Sequence, residues 1–257
     1  MISILINSRF KGNENSNLPR LLESLANTAH NLSNFEVLVK FDDDDRKARK
    51  FVARGGLEKY KLNIRCAFGD RFGGYRNINY GYNFIYRIVN QNHKIITAMA
   101  DDFEIKRTGW DSDLIAIEKE SPTKIFIIHN RKHAMFDNPS MNSLNFNLDN
   151  LDNLGADECP AWSKRLLDMC NGFSFAHFSD AWTIALEHVL YHQFGVTITK
   201  FLPEPYTHRH LNDRLDQKCG KRWWTDRAWV FEIMKEPYYR HVLSELASNI
   251  HLRLKHE

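Results

Sequence analysis

The sequence has little cysteine, no long apolar run and no targeting segment, and each shortage excludes a class of protein. None of its four cysteines forms a CxxC pair, which excludes a zinc knuckle and predicts free thiols in a reducing compartment. No apolar stretch approaches the roughly 20 residues that a membrane span needs. The N-terminus also lacks the charged and apolar regions of a signal peptide. We therefore expect a cytoplasmic protein without an integral membrane segment.

Charge and motif content exclude further classes. The net charge is only +3, far from the basic excess of a nucleic-acid-binding surface, so we expect no nucleic-acid partner. An HExxH-type signature is absent, which argues against a zinc protease. Hydrophobic residues make up 43% of the chain and charged residues 26%, as in ordinary globular proteins. The length of 257 residues allows one large α/β domain or two small ones.

Strand and helix signals alternate along the first half of the chain. Short apolar runs predict buried strands at residues 2–6, 35–41, 62–68, 95–99 and 124–128. Apolar residues at helical spacing predict helices at 18–25, at 73–92 and from about 108. This alternation is typical of an α/β protein with a mostly parallel sheet.

The second half of the sequence is more helical and more aromatic. It predicts helices at 180–194, 223–232 and 238–252, a strand at 196–202 and a polar loop at 138–157. A boundary near residue 130 is possible, but no linker composition marks it, so we predict one domain over residues 1–257. Four tryptophans could offer stacking surfaces to a ligand or belong to the core: Trp162, Trp182, Trp223 and Trp224.

Two acidic clusters directly follow predicted strands. Asp42–Asp45 comes after the second strand, and Asp101–Asp102 follows the strand at 95–99. Ligands of parallel α/β sheets bind beyond the carboxyl ends of the strands, so neighbouring strands would bring both clusters to one crevice. Clustered carboxylates repel one another unless a cation balances them, and Mg²⁺ or Mn²⁺ is a suitable partner. Alternatively, each cluster consists of solvated loop acids.

A cation and an amide lie near the start of the predicted helix at 73–92. Arg76 and Asn79 are about one turn apart and could hold a diphosphate, because Gly73–Gly74 lets the backbone approach and a helix N-terminus favours an anion. The alternative is a surface arginine and a solvent-facing asparagine, which applies most strongly to Asn83. Arg9, in the polar loop after the first strand, is a further candidate for binding an anionic ligand.

The second half offers a candidate base and a histidine motif. Asp180 begins a predicted helix and could take a proton from an acceptor hydroxyl, or it could be the helix N-cap. Asp157 and Glu158 are alternative bases. His208 or His210 could complete a metal shell through an imidazole nitrogen, although histidines in polar loops are usually solvated.

The order of these segments resembles family 2-type GT-A glycosyltransferases. The opening "ISILINSR", the helix "LPRLLESL" and "FEVLVKFDDDD" are similar to the start of that family. Family acids at the end of the second strand contact the nucleotide base and ribose, which implies this role for Asp42, Asp43 and Asp44. The segment "GGYRNINYGYNFIY" resembles the one that lies near the diphosphate and sugar, which implies Arg76 and Asn79.

The metal motif and the acceptor side of the family also have counterparts. "IITAMADDFEIKRTGWDSDL" resembles the strand, the DxD metal motif and the gWd turn, which implies Asp102 as metal ligand and Asp101 as sugar or ribose contact. Because Ala100 replaces the first acid of a strict DxD, Asp102-x-Glu104 is an alternative pair. "HFSDAW" resembles the segment with the catalytic base, here Asp180. "YTHRHL" resembles a segment that binds metal or diphosphate, here through His208 and His210.

The resemblance implies a GT-A fold, with a nucleotide-sugar-binding half at about 1–130 and an acceptor-side half at about 131–257. The implied reaction is a Mn²⁺- or Mg²⁺-dependent, inverting transfer of a sugar from a nucleotide-diphosphate donor to a hydroxyl of a carbohydrate or glycan acceptor. UDP-sugars are the commonest donors of the family, and GDP and dTDP remain open. One alternative is a nucleotidyltransferase of related architecture, which would carry a Gly-rich basic loop after the first strand. Another is a non-catalytic carbohydrate-binding or scaffold protein.

Overall fold

The computed structural model describes residues 1–10, 17–71, 78–130, 159–173, 179–202, 207–209 and 236–256. Within these ranges the strands are β1 (Ile2–Ser8), β2 (Phe35–Asp42), β3 (Ile64–Gly69), β4 (Ile95–Ala100), β5 (Phe103–Ile105), β6 (Ile127–His129), β7 (Ala161–Ser163), β8 (Thr199–Phe201) and β9 (Thr207–Arg209). The helices are α1 (Asn17–Thr28), α2 (Arg46–Ala53), α3 (Ile78–Tyr86), α4 (Trp110–Glu120), α5 (Lys164–Met169), α6 (Ser179–Phe194) and α7 (Pro237–Lys255).

Seven strands form one sheet, in the order β3-β2-β1-β4-β7-β6-β8. β1 pairs in parallel with both β2 and β4, and β2 pairs in parallel with β3. β7 is antiparallel to its two neighbours, whereas β6 and β8 are parallel to each other. The predicted α/β architecture with a mostly parallel sheet is therefore confirmed, and the sheet continues across residue 130.

Helices cover both faces of the sheet. On one face, Leu5, Leu38 and Ile96 pack with residues of α3, α6 and α7. On the other face, Ile4 and Val37 pack with residues of α1, α2 and α4. A parallel sheet covered on both sides needs apolar side chains at nearly every position, which explains why β1, β2 and β4 are mostly apolar in the sequence.

Some boundaries differ from the sequence prediction. α3 ends at Tyr86 rather than at residue 92, and the chain continues in tight turns in which Val89 is still buried. β6 begins only at Ile127, and Lys124, where the strand was predicted to begin, has a left-handed backbone conformation with φ 55°. α2 was not predicted, because four of its eight residues are basic and only the short stripe of Ala48, Phe51 and Val52 faces the core. The predicted helix at 223–232 and the predicted loop at 138–157 lie outside the described residues.

The turn before α4 is fixed by buried side chains. Trp110 is fully buried, and its ring centroid lies 5.1 Å from that of Phe35. Gly109 has φ 80°, and a Cβ there would lie 2.4 Å from the ring of His30. The fully buried carboxylate of Asp111 accepts three hydrogen bonds, from His30 N (2.8 Å), Asn31 N (3.1 Å) and Asn34 Nδ2 (2.8 Å). The segment "GWD" therefore ties α4 to the loop between α1 and β2.

A buried polar cluster lies near the amino ends of β1 and β2. Ser3 Oγ donates to Glu36 Oε1 at 2.8 Å and lies 2.7 Å from His93 Nδ1, and Arg65 donates to Glu36 Oε2 at 2.7 Å. Burial alone raises the pKa of Glu36, but hydrogen bonds from Ser3, Arg65 and the backbone of Asn90 outweigh it, so this pKa lies below its usual range. Burial lowers the pKa of His93, which keeps the ring neutral.

Membrane spans and cysteine pairing can also be checked in the described residues. No helix among them is long and apolar enough to cross a membrane. Cys66, Cys159 and Cys170 are free thiols, as predicted, and Cys219 lies outside the described ranges.

Candidate active site

The carboxyl ends of four parallel strands lie along one edge of the sheet. β1 lies between β2 and β4, so the two predicted acidic clusters do not follow neighbouring strands. They are separated by one strand, or about 10 Å at the usual strand spacing. Ser8, which ends β1, and the two residues after it, Arg9 and Phe10, lie between the two acidic clusters. The clusters therefore share an edge with a polar and cationic segment between them.

Asp45, the last acid of the first cluster, has a structural role. Its carboxylate caps α2 by accepting hydrogen bonds from Lys47 N at 3.1 Å and Ala48 N at 2.9 Å. It also accepts a hydrogen bond from Phe10 N at 2.7 Å, which links the end of β1 to the start of α2. Only 6% of Asp45 is exposed. Its carboxylate therefore serves the loop rather than a ligand.

Asp42 is held by a buried lysine. Lys40, which is 4% exposed, donates from Nζ to Asp42 Oδ1 at 2.6 Å and to the backbone oxygen of Asp70 at 2.7 Å. The ammonium group thus ties the end of β2 to the loop after β3 and neutralises Asp42. Because the pair is mostly shielded from water, the carboxylate has a fixed orientation at the edge of the sheet.

Asp43 and Asp44 are half-exposed and lie near arginines. Arg49 contacts Asp43 Oδ1 at 3.0 Å, and Arg9 and Arg71 approach Asp44 Oδ2 at 3.8 and 3.6 Å. About half of each of these side chains is exposed, so these ion pairs contribute little to stability. Arg9 and Arg71 come from the ends of different strands and remain accessible to an anionic ligand.

The second acidic cluster contacts the end of β1. Ser8 Oγ, on a residue that is 6% exposed, donates to Asp101 Oδ2 at 2.6 Å. Asp101 and Asp102 are both partly buried directly after β4. The short hydrogen bond fixes the Asp101 carboxylate beside the strand that also carries Arg9.

Glu104 lies in β5, which forms a separate two-stranded sheet with β9. The register places residue 208 directly opposite Glu104. The Glu104 carboxylate contacts Lys106 Nζ at 2.6 Å and Arg20 at 3.6 Å. The side chain of His208 and the whole of His210 lie outside the described part of the chain. Within that part, no three His, Cys, Asp or Glu residues are grouped so that they could hold a metal.

The predicted diphosphate contacts fall at the start of α3. Arg76 lies outside the described residues, and Asn79 is described only by its backbone in the first turn of α3. Gly81 lets this helix approach the end of β1, since a Cβ there would lie 2.4 Å from Asn7 Oδ1. Asn83 is half-buried rather than solvent-facing, and its amide holds the backbone of Phe173 through bonds of 2.7 and 3.2 Å.

The candidate base lies in the first turn of α6. Asp180 is the second residue of that helix, so the N-cap lies upstream of it, and its side chain is outside the described part. An acid in the first turn suits the helix dipole. Asp157 and Glu158 lie outside the described residues. Trp162 and Trp182 are buried, as core residues, and line an apolar cavity of about 260 Å³, whereas Trp223 and Trp224 are not described.

Several residues of this region were not predicted from the sequence. Ser8 ends β1 and Lys40 lies within β2, and only contacts with Asp101 and with the backbone of Asp70 give them their roles. A buried pair, His129 and Glu187, was also not predicted, because the strand was expected to end at residue 128. Glu187 lies on α6, and His129 Nε2 is 2.9 Å from its Oε2.

Comparisons with known proteins rest on structure alone, since no family model and no curated protein matches the sequence. A mannosyltransferase of Pyrobaculum calidifontis, solved with GDP-Man and Mn²⁺, is similar with a TM-score of 0.53 and 14% identity, over 79% of this chain and 54% of that one. Residues 1–349 of S. aureus TarS, solved with UDP, give a TM-score of 0.56 and 14% identity, over 82% and 60%. The same TarS fragment solved with UDP-GlcNAc gives 0.53 and 15%, over 82% and 59%.

This chain thus spans a little over half the length of each of these three solved chains. At such low identity the similarity concerns the fold. The strand order, the helices on both faces and these structural neighbours agree with the resemblance found in the sequence. The chain has the GT-A-like fold of nucleotide-sugar glycosyltransferases.

Proposed function

We propose that the protein is a metal-dependent glycosyltransferase that moves a sugar from a nucleotide-diphosphate donor, a UDP-sugar in the first instance, to a hydroxyl of a carbohydrate or glycan acceptor. The observation that carries the proposal is the shared carboxyl edge of β1, β2 and β4. There the acids Asp42–Asp44 and Asp101–Asp102 flank Arg9, and Ser8 ties Asp101 to β1. Donor complexes of the similar proteins support this choice of ligand.

The donor would lie across this edge. Asp42, held by Lys40, presents a fixed carboxylate to the nucleobase or ribose, with Asp43 and Asp44 beside it. Arg9 and Arg71, half-exposed near Asp44, can turn toward a phosphate. Our candidates for the diphosphate and the sugar are Arg76, two residues before α3 in the sequence, and Asn79, in the first turn of α3, because anions favour a helix N-terminus.

The residues present fit a hard divalent cation. Mg²⁺ and Mn²⁺ use one or two carboxylates and complete their shell with water and substrate phosphate, so a three-residue cage is not needed. Asp102 is our first candidate ligand, with Asp101 contacting ribose or sugar. Glu104 is less suited, because Lys106 and Arg20 already engage its carboxylate. His208, opposite Glu104 in the β5–β9 register, and His210 are candidates to complete the shell.

The chemistry follows from these assignments. Asp180 accepts the proton of the acceptor hydroxyl as its oxygen attacks the anomeric carbon from the face opposite the nucleoside diphosphate, which gives inversion. Arg76 stabilises the negative charge that develops on the departing diphosphate. A bound divalent cation supplies further charge stabilisation at the same phosphates.

A matrix of thermal unfolding measurements tests the proposal. UDP, GDP and dTDP are each added with and without Mn²⁺, and we expect one of them to stabilise the protein only together with the metal. A ligand at about 100 times its Kd adds about 2.7 kcal/mol, which raises the Tm by about 5–11 °C for a chain of this size. A nucleoside triphosphate that raises the Tm more than every diphosphate would favour the nucleotidyltransferase. No change in Tm with any nucleotide would favour the scaffold protein.

Two variants locate the metal. Asp102→Ala is expected to lose the metal-dependent part of the stabilisation and the Mn²⁺-dependent hydrolysis of the donor. Glu120→Ala removes the same charge from an exposed position at the end of α4 and is expected to behave as wild type. Donor hydrolysis that is equal in the two variants would contradict the assignment of Asp102.

A further inference from the structure

A buried polar cluster connects α6 to two strands of the sheet. His129 Nε2 lies 3.0 and 2.9 Å from the two carboxylate oxygens of Glu187, and Thr199 Oγ donates to Glu187 Oε1 at 2.6 Å. His129 belongs to β6 and Thr199 to β8. The side chains of His129 and Glu187 are each 1% exposed. A carboxylate so deeply buried is retained only where its hydrogen bonds are satisfied, so Glu187 fixes one face of α6 against the sheet.

The direction of α6 follows from the chain after it. Val196 N donates to the oxygen of Leu190, and Ile198 O accepts from Ile127 N at 2.9 Å, which brings the chain to the start of β8. β8 is parallel to β6, and β6 is parallel to β4 because both are antiparallel to β7. The end of α6 therefore lies toward the amino edge of the sheet, and its start lies toward the edge that carries the acids.

The start of α6 and the carboxyl end of β4 lie at similar positions along the strand direction. Ile128 and Thr97 both pair with Ala161, so His129 is level with Ala98, three residues before Asp101. β4 ends at Ala100, two residues or about 7 Å beyond Ala98, and Asp101 begins the turn that follows. Asp180 precedes Glu187 by seven residues, which is about 10 Å of helix and close to two full turns. Residue 180 therefore lies on the same helix face as Glu187, at the height of Asp101 and Asp102.

We propose that Glu187, held by His129 and Thr199, is a positioning residue that sets the rotation and the height of α6 and thereby aims Asp180 at the acceptor hydroxyl. This inference rests on the proposed function, since it concerns the base of that reaction. The Glu187 side chain is only 1% exposed, so it is not available to contact a donor or an acceptor. We expect its effect to fall on the sugar-transfer step, because Glu187 contacts β6 and β8 rather than the acid-bearing strands β2 and β4.

The test compares Glu187→Ala with a matched variant at the opposite edge. Glu36→Ala removes another buried glutamate that is bonded to a hydroxyl and a histidine, near the amino ends of β1 and β2. Both variants should lose stability. Only Glu187→Ala should lose transfer rate per folded molecule, by about tenfold to a hundredfold, because a displacement of about 1 Å has that effect on a positioned group. The KM for the donor should stay at the wild-type value in both.

Two milder variants provide the same test if Glu187→Ala does not fold. Thr199→Val removes one hydrogen bond and is expected to give a smaller loss of kcat in the same direction. Glu187→Gln keeps an acceptor for Thr199 and can bond the other tautomer of His129, so it should recover most of the transfer rate. Amide exchange over residues 179–186 should speed up in Glu187→Ala and not in Glu36→Ala.

The outcomes separate this inference from the proposed function. If the sugar-transfer rate and the amide exchange of residues 179–186 change no more in Glu187→Ala than in Glu36→Ala, the positioning role is overturned and the proposed transferase activity is unaffected. A wild-type protein that neither binds a nucleoside diphosphate nor transfers a sugar would overturn the transferase, and the role of Glu187 in aiming a base would fall with it.

Discussion

Replacing Asp111 by alanine tests how the turn after β5 is held. Its carboxylate is fully buried and accepts hydrogen bonds from two backbone N–H groups and the side chain of Asn34, all on the loop after α1. The variant would leave three donors without an acceptor while keeping the helix, since alanine is a good helix former. The perturbation is therefore one of hydrogen bonding rather than of packing.

The magnitude follows from the three bonds. A hydrogen bond to a charged acceptor contributes about 1.5–3 kcal/mol, so three of them set an upper limit of about 5–9 kcal/mol. His30 and Asn31 are exposed residues, so water can reach part of the vacated donors. We expect a net loss of about 3 kcal/mol, within the range of buried-network substitutions. For a chain of this size that loss lowers the Tm by about 6–12 °C.

Chemical and thermal unfolding of three variants measure the effect. Asp111→Asn keeps one acceptor oxygen and should lose roughly half as much, because hydrogen bonds to neutral groups are weaker. Asp113→Ala, two residues further along α4, removes only a pair with Arg107 near the surface and should cost less than about 1 kcal/mol. Equal losses for Asp111→Ala and Asp113→Ala would refute the reasoning.

Three other predictions concern stability and catalysis. The folded-state pKa values of Glu36 and His93 both lie below their unfolded values, so the unfolded chain binds more protons on acidification and the Tm should fall as the pH drops below about 6.5. His93→Gln should make the Tm less dependent on pH in this range. A Tm that rises on acidification would contradict the prediction. Gly109→Ala should cost more than Gly195→Ala in urea unfolding, because both have positive φ but only Gly109 lacks room for a Cβ. Asp180→Asn should abolish transfer to an acceptor and spare donor affinity, and a loss of donor affinity instead would remove Asp180 from the role of base.

The long apolar strands could be predicted from the sequence because burial on both faces leaves an unambiguous pattern. β1, β2 and β4 are recognisable for this reason, and the acids that follow them could be assigned to one edge of the sheet. β5, β7 and β9 have three residues each and pair with distant segments, so no local pattern marks them. The placement of β1 between the two acid-bearing strands likewise depends on pairing that the sequence does not encode locally.

In the candidate site, too, some residues could be predicted from the sequence and others could not. Asp42–Asp44 and Asp101–Asp102 could be found because charge directly after an apolar run is conspicuous. The residues that orient them, Lys40 and Ser8, could not, because their roles depend on contacts with Asp70 and Asp101, which lie 30 and 93 positions away in the sequence. The roles of the first and last acids in a run also differ: Asp45 caps a helix, whereas Asp42 is held by a lysine.

A crystal grown with Mn²⁺ and UDP, measured at a wavelength where manganese scatters anomalously, tests the central claim most directly. We expect an anomalous peak within coordination distance of the Asp102 carboxylate and of the UDP phosphates, with the uridine over the Asp42–Asp44 end of β2. A nucleotide bound elsewhere, or a manganese peak away from Asp102, would contradict the claim that these strand ends form one donor site.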